Sequence, residues 1–143
     1  MLPTDCVPHA NQEGFRLVFI IEVVLRELLV TELASSHGPR WWKERIPGDI
    51  MKAALESSRA ERAMRLLHCT PHHVIYYTDF PHLRRIVERS DNWEQAFGRI
   101  FQRKDLFLAA LSAVEPVRNK LAHNRLLTEA DLLLVRPVLA MLV

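Results

Sequence analysis

Apolar side chains recur at three- and four-residue intervals along most of the chain, which is the spacing that aligns one face of an α-helix. This periodicity predicts a long first helix over residues 13–36, closed by Gly38 and Pro39, and a second helix over residues 47–68. The chain has four glycines, and no turn-rich hairpin signal interrupts the pattern. The sequence therefore predicts an all-α protein.

Candidate N-cap residues precede the later helices, which are predicted to run through residue 90, over 93–101, from 105 through 125, and to the end of the chain. These residues are Thr78 or Asp79, Asp91 or Asn92, Asp105, and Thr128 with its capping-box partner Asp131. The segment 74–77 is ambiguous between helix and strand. We predict a compact helical bundle of about five to seven helices.

Length and composition point to one globular domain, since 143 residues with 49% hydrophobic and 25% charged side chains are enough for one core. Residues 1–12 are predicted to be a flexible N-terminal arm and residues 13–143 a single helical domain. Cys6 and Cys69 lie far apart without C-x-x-C spacing, which favours a reducing, cytoplasmic setting. The apolar run 17–30 is short for a bilayer and contains charged residues, so we expect no membrane span.

The net charge of +2 is too small for a protein that coats nucleic acid through bulk charge. Any anionic partner must therefore be bound by a local patch. One candidate patch is residues 84–104, which begins with Arg84 and Arg85 and in which basic residues outnumber acidic ones. An ordinary solvated face explains the same residues equally well.

The first helix carries a carboxylate inside an apolar stripe. At 100° per residue, Glu22 falls in the middle of the face formed by Phe15, Val18, Leu25, Leu29 and Leu33. Arg26 follows one turn later, and a covered carboxylate needs a partner. Two interpretations stay open: a self-contained Glu22–Arg26 pair, or a Glu22 that orients an arginine of an active site.

The octet 118–125, Arg-Asn-Lys-Leu-Ala-His-Asn-Arg, puts a guanidinium, an amide and an imidazole on one helical stretch. Arg118 borders the apolar stripe of its helix, while Asn119 and His123, four residues apart, share a more polar face. Pro116, two residues before Arg118, predicts a local kink. The three polar side chains form a set suited to binding and reacting with a phosphate.

An arginine followed by a histidine is by itself a weak signal, because similar spacings occur elsewhere in the chain. Context separates the octet, with Asn119 directly after Arg118 and Leu-Ala before His123. In that context the segment 114–125 resembles the signature of HEPN domains, the higher eukaryotes and prokaryotes nucleotide-binding family. Glu22, Arg26, the Trp-Trp pair at 41–42 and the aromatic segment 77–80 look most like the branch named for a yeast nuclear RNA endonuclease.

The resemblance implies a homodimer in which two Arg-His motifs face one cleft, and a metal-independent endoribonuclease that needs no cofactor. His123 would act as general acid or base on the RNA 2′-hydroxyl and the leaving oxygen, Arg118 would bind the scissile phosphate, and Asn119 would position either one. Glu22 and Arg26 would support them. Contacts to RNA are also expected from four further basic residues, Lys120, Arg125, Arg84 and Arg85.

The same resemblance implies a toxin or phage-defence effector whose partners are RNA and a cognate antitoxin or a larger defence complex. Family toxins that are neutralised by tyrosine adenylylation carry a tyrosine two residues after the histidine, a position held here by Arg125. Two alternatives stay open: a non-catalytic HEPN module that binds RNA or nucleotides or mediates assembly within a larger system, and a helical scaffold. A surface helix end with a salt-bridged Arg118 would also account for the octet.

Two other groups of residues admit functional readings. His68, Cys69, His72 and His73 are potential metal ligands, but the second ligand pair of a standard zinc site is missing from the sequence. Trp41 and Trp42 could stack on unpaired bases, although aromatic residues just after a helix end are more often core anchors. We therefore expect no metal site.

Overall fold

The computed structural model describes residues 6–64 and 73–143, and within these ranges all regular structure is helical. The helices are α1 (His9–His37), α2 (Trp41–Arg45), α3 (Gly48–Ala63), α4 (Phe80–Glu88), α5 (Ser90–Asn92), α6 (Gly98–Phe101), α7 (Lys104–Ala122) and α8 (Glu129–Leu142). A 3-10 turn at Val74–Tyr77 precedes α4, and a π-helical turn at Trp93–Phe97 joins α5 to α6. When α5, the π-helical turn and α6 are counted as one helix, the described ranges hold seven α-helices. Since all regular structure in these ranges is helical, the predicted all-α class is confirmed.

The predicted helix boundaries differ from the observed ones at several helix ends. Helix α1 begins at His9, inside the predicted arm, because the chain already coils at Pro8, whose carbonyl accepts from Gln12 N at 3.0 Å. Helix α2 was not predicted. The predicted second helix corresponds to α3, and its predicted end at 65–68 lies outside the described residues.

The predicted capping box of α8 is present, and Asp79, one of the two cap candidates of α4, forms a second one. Thr128 caps α8 together with Asp131, and Asp79 caps α4, where its backbone N–H donates to His82 Nδ1 at 3.1 Å. The predicted cap at 91–92 is wrong, because the helical run begins at Ser90. The N-cap position there is Arg89.

The described chain divides into two compact units, residues 6–25 with Asp105–Val143 and residues Arg26–Lys104. The first unit combines the first part of α1 with α7 and α8. Its core is formed by the buried side chains Leu17, Val18, Ile21, Leu25, Phe107, Leu111, Val114, Val117, Leu127, Leu132, Val135 and Val138. The single-domain prediction for residues 13–143 stays a prediction.

The loop between α7 and α8 is fixed to the start of α1. Asn11 Nδ2 donates to the carbonyl of Arg125 at 2.9 Å, and Asn11 Oδ1 accepts from Leu127 N at 3.0 Å. Gly14 lies one turn further along, where an added Cβ would stand 2.2 Å from Leu127 Cδ1. The Leu127 side chain thus packs directly on the helix backbone, and a larger residue at position 14 would require that side chain to move.

The second unit has its own core. Its largest fully buried side chains are Leu29, Leu33, Ile50, Ile75, Phe80, Leu83, Ile86 and Phe97. Asn92 is fully buried among them and donates to the carbonyls of Arg45 and Ile86 at 2.9 and 2.8 Å. These two bonds connect the last residue of α2 with the last turn of α4, so Asn92 is a structural residue.

The apolar stripe predicted for α1 is only partly covered. Val18, Leu25, Leu29 and Leu33 are buried, whereas Phe15 is 62% exposed. In the described parts of the chain, no helix is both long and apolar enough to cross a membrane.

Candidate functional site

Arg118 of α7 meets Glu22 of α1 within the first unit. Arg118 Nε lies 3.7 Å from Glu22 Oε1, with the side chains 33% and 18% exposed. The charges attract at this distance. Glu22 therefore contacts Arg118, and its role in orienting an arginine of an active site stays a prediction.

Both side chains line a solvent-open depression of about 250 Å³. The other lining residues are apolar: Phe15, Val18, Phe19, Leu121 and Ala122. A second depression of about 660 Å³ shares Phe15 and Leu121 with the first. It is otherwise lined by Cys6, Val7, Asn11, Gln12 and Asn124. Arg118 is therefore reachable by a ligand that enters the smaller depression from solvent.

Helix α7 ends in a hydrogen-bond pattern that the octet itself encodes. Arg125 N donates to the carbonyl of Lys120 at 2.8 Å, and Asn124 N donates to that of Leu121 at 3.1 Å. Asn124 takes a positive φ of 54° between them. These are the two bonds of a Schellman motif, in which asparagine is the second choice after glycine at the left-handed position.

His123 stands at the C-cap of α7, exposed to solvent, and its backbone N–H donates to the carbonyl of Asn119 at 3.2 Å. Asn119 is also exposed. Both side chains are thus accessible, on the face of the helix end that the sequence predicted to be polar. Helix α7 continues through Pro116 without a break in helical structure.

Lys120 is paired with the capping box of α8. Its Nζ lies 2.9 Å from both carboxylate oxygens of Asp131, which also accepts from Thr128 N at 2.8 Å. The Thr128 backbone N–H, and after it the Lys120 ammonium, lower the pKa of Asp131 below its usual range. The carboxylate therefore stays ionised in the folded protein, and Lys120 has a structural contact beside its predicted role in RNA binding.

The remaining predicted site residues separate into two groups. Arg125 is exposed at the end of the α7–α8 loop in the first unit. In the second unit, Arg26 donates to the Thr78 carbonyl at 2.8 Å and lies 5.7 Å from the centre of the Tyr76 ring.

Arg84 and Arg85 also lie in the second unit, on α4. Arg84 is 3.5 Å from Glu88, and Arg85 donates to both oxygens of Asp49 at 2.8 and 3.2 Å. Their contacts to RNA stay predictions.

No group of three or more His, Cys, Asp or Glu side chains that could hold a metal ion occurs among residues 6–64 and 73–143. His68, Cys69 and His72 lie outside the described residues. Trp41 is buried and its ring stacks on His73 with centres 5.2 Å apart, so the core-anchor interpretation holds for Trp41.

Three residues that line the two depressions, Asn124, Phe15 and Phe19, were not predicted from the sequence to be site residues. Asn124 could have been found as a helix terminator, because asparagine just past the last apolar position of a helix is a known stop signal. Phe15 and Phe19 are spaced four residues apart, and Glu22 follows three later, which puts all three on one face of α1. Their exposure had no signal in the sequence.

Comparisons with protein family models, with curated proteins and with solved structures find no match to this chain.

Proposed function

We propose that this protein is a metal-independent endoribonuclease of HEPN type that acts as a homodimer. The observation that carries the proposal is the guanidinium of Arg118, which stands beside Glu22 in a solvent-open depression on the helix that ends in the exposed His123. A guanidinium presents a rigid fork of donors to a phosphate, and an imidazole exchanges a proton near neutral pH. Together they supply what cleavage of RNA needs.

The reaction is an internal transesterification. An imidazole, His123 in one of the two copies, accepts the proton of the 2′-hydroxyl, and the 2′-oxygen forms a bond to the adjacent phosphorus. The bond from phosphorus to the 5′-oxygen breaks, and that oxygen receives a proton from an imidazolium or from water. Arg118 stabilises the charge on the phosphoryl oxygens, and Asn119 positions either group. The products are a 2′,3′-cyclic phosphate and a 5′-hydroxyl.

In a cell, such an activity fits a cytoplasmic toxin or phage-defence effector, held in check by a cognate antitoxin or within a larger defence complex. Lys120, Arg125, Arg84 and Arg85 would add contacts to the RNA backbone, and Arg26 would support the helix that carries Glu22.

The test is cleavage of mixed-sequence RNA in the presence of a metal chelator, with binding measured in parallel. The wild type should cleave RNA, and His123→Ala should lose roughly 100- to 10,000-fold in rate. His9→Ala is the matched control, since His9 is an exposed histidine at the start of α1 in the same unit, and it should cleave like the wild type. A substrate with a 2′-deoxy sugar at the cleaved position should stay intact.

The second candidate is a non-catalytic HEPN module that binds RNA or nucleotides or mediates assembly. It is favoured by the structural roles of two residues of the octet, since Lys120 pairs with Asp131 and Asn124 ends α7. RNA binding by the wild type with no cleavage under any condition would establish this candidate and exclude the enzyme. Equal cleavage by the wild type and His123→Ala would exclude the proposed mechanism.

A further inference from the structure

Two phenylalanines are exposed on the face of α1 that carries Glu22. Phe15 is 62% and Phe19 58% exposed, and their ring centres are 6.0 Å apart with planes inclined by 30°. Single exposed apolar residues need no explanation. A pair of adjacent rings beside an ion pair, however, is a surface whose burial by a ligand would be energetically favourable.

Phe15 is placed to serve two depressions at once. It lines the smaller one with Glu22 and Arg118, and the larger one with Gln12 and Asn124. A ligand that stacks on this ring therefore has a guanidinium available on one side and amide side chains on the other.

The amides of the larger depression differ in availability. Both polar atoms of the Asn11 side chain are engaged with the backbone of the α7–α8 loop. Gln12 Nε2 donates to the Val7 carbonyl at 2.7 Å, while Asn124 is exposed at its left-handed position. An amide carries both a donor and an acceptor, which is the pattern needed to bond the edge of a base.

We propose that the larger depression binds one unpaired base of an RNA strand, stacked on Phe15, while a neighbouring phosphate of the same strand lies at Arg118. The proposal rests on the proposed function, because it assumes that Arg118 faces RNA. Aromatic stacking beside a basic group is how single strands are bound with little sequence preference. The charged pair and the amides fit a nucleotide better than they fit an apolar helix of a partner protein.

The experiment measures binding of the full chain to a short single-stranded RNA with 2′-O-methyl sugars, which blocks cleavage, and one 2-aminopurine base. Loss of one stacked base lowers affinity about 5- to 100-fold. We expect Phe15→Leu to weaken binding by that amount and to remove the fluorescence quenching of 2-aminopurine, whereas Phe15→Tyr retains both. Leu133→Ala is the matched control, because Leu133 is also 62% exposed in the same unit, on α8.

Unchanged affinity and quenching in Phe15→Leu would overturn the proposal while leaving the ribonuclease intact, since wild-type cleavage is measured on the same preparations. Equal affinity for the RNA and for an oligomer lacking the base would do the same. If Phe15→Leu instead converts a dimer into monomers in light scattering, the rings bind a second copy of the chain and not a base. If the wild type neither binds nor cleaves RNA, the proposed function fails, and this inference fails with it.

Discussion

Two cations on α7, only two residues apart, each meet a carboxylate, and the two pairs differ. Lys120 Nζ lies 2.9 Å from both oxygens of Asp131, whose side chain is 12% exposed and caps α8. Arg118 Nε lies 3.7 Å from Glu22, at a depression open to solvent. Both pairs connect two helices, and the Arg118 pair also lines a depression. We therefore predict a division within the motif, with Lys120 in a structural role and Arg118 in a chemical one.

The largest stability effect should come from removing the carboxylate of the Lys120 pair. Asp131→Ala removes the capping box and leaves the ammonium of Lys120 without its partner, so we expect the free energy of unfolding to fall by roughly 1–3 kcal/mol. Denaturant unfolding measures this change. Glu129→Ala is the control, because its pair with Arg136 is exposed and should contribute less than about 1 kcal/mol. Equal losses in the two variants would contradict the division.

The carboxylate of the Arg118 pair should behave in the opposite way. Glu22→Gln keeps the size of the side chain and removes its charge, so we expect less than about 1 kcal/mol of stability to be lost. If Glu22 positions Arg118, the rate of RNA cleavage should fall up to roughly tenfold, mainly in kcat, since misplacement of a catalytic group raises the barrier. An unchanged rate would show that Glu22 has no positioning role.

Acid stability gives the smallest expected effect. The pKa of Asp131 is lowered on folding, so its stabilisation is present above the unfolded value of about 3.9 and is lost as the pH falls through the folded value. Between about pH 5 and pH 2, the free energy of unfolding should fall more in the wild type than in Asp131→Asn, because the variant has no carboxylate at this position to protonate. Lys120→Ala should keep part of this acid dependence, because the Thr128 backbone N–H, the largest single cause that lowers the pKa of Asp131, remains. A complete loss in Lys120→Ala would reverse that order of causes.

Local signals in the sequence were sufficient for the capping box of α8, since a cap and its partner are three residues apart, and for Asp79 as one of two cap candidates of α4. The all-α class could be predicted for the same reason, because the helical spacing of apolar residues is also a pattern of residues three and four positions apart. The π-helical turn at Trp93–Phe97 was not predicted, because a change of hydrogen-bond register leaves little trace in the apolar periodicity.

The roles of the predicted site residues stay predictions, and the surroundings of Arg118 were not predicted from the sequence. The pair of Glu22 and Arg118 joins positions 96 residues apart in the sequence. Arg26, only four residues from Glu22, was an alternative partner that the sequence could not exclude. Helix α1 is apolar on several faces, so the pattern could not tell which face stays uncovered, and Phe15 was assigned to the covered stripe. Tertiary packing decides both questions.

The division between the two cations is tested most directly by comparing RNA cleavage in Arg118→Ala and Lys120→Ala under conditions where both variants are fully folded. Removing a group that stabilises transition-state charge costs about 100- to 1,000-fold in kcat, so Arg118→Ala should lose that much. Lys120→Ala should keep kcat within a few fold of the wild type, and the loss of its predicted contact to the RNA backbone should appear as weaker RNA binding. Cleavage by Arg118→Ala at the wild-type rate, or an equal loss in both variants, would contradict the account.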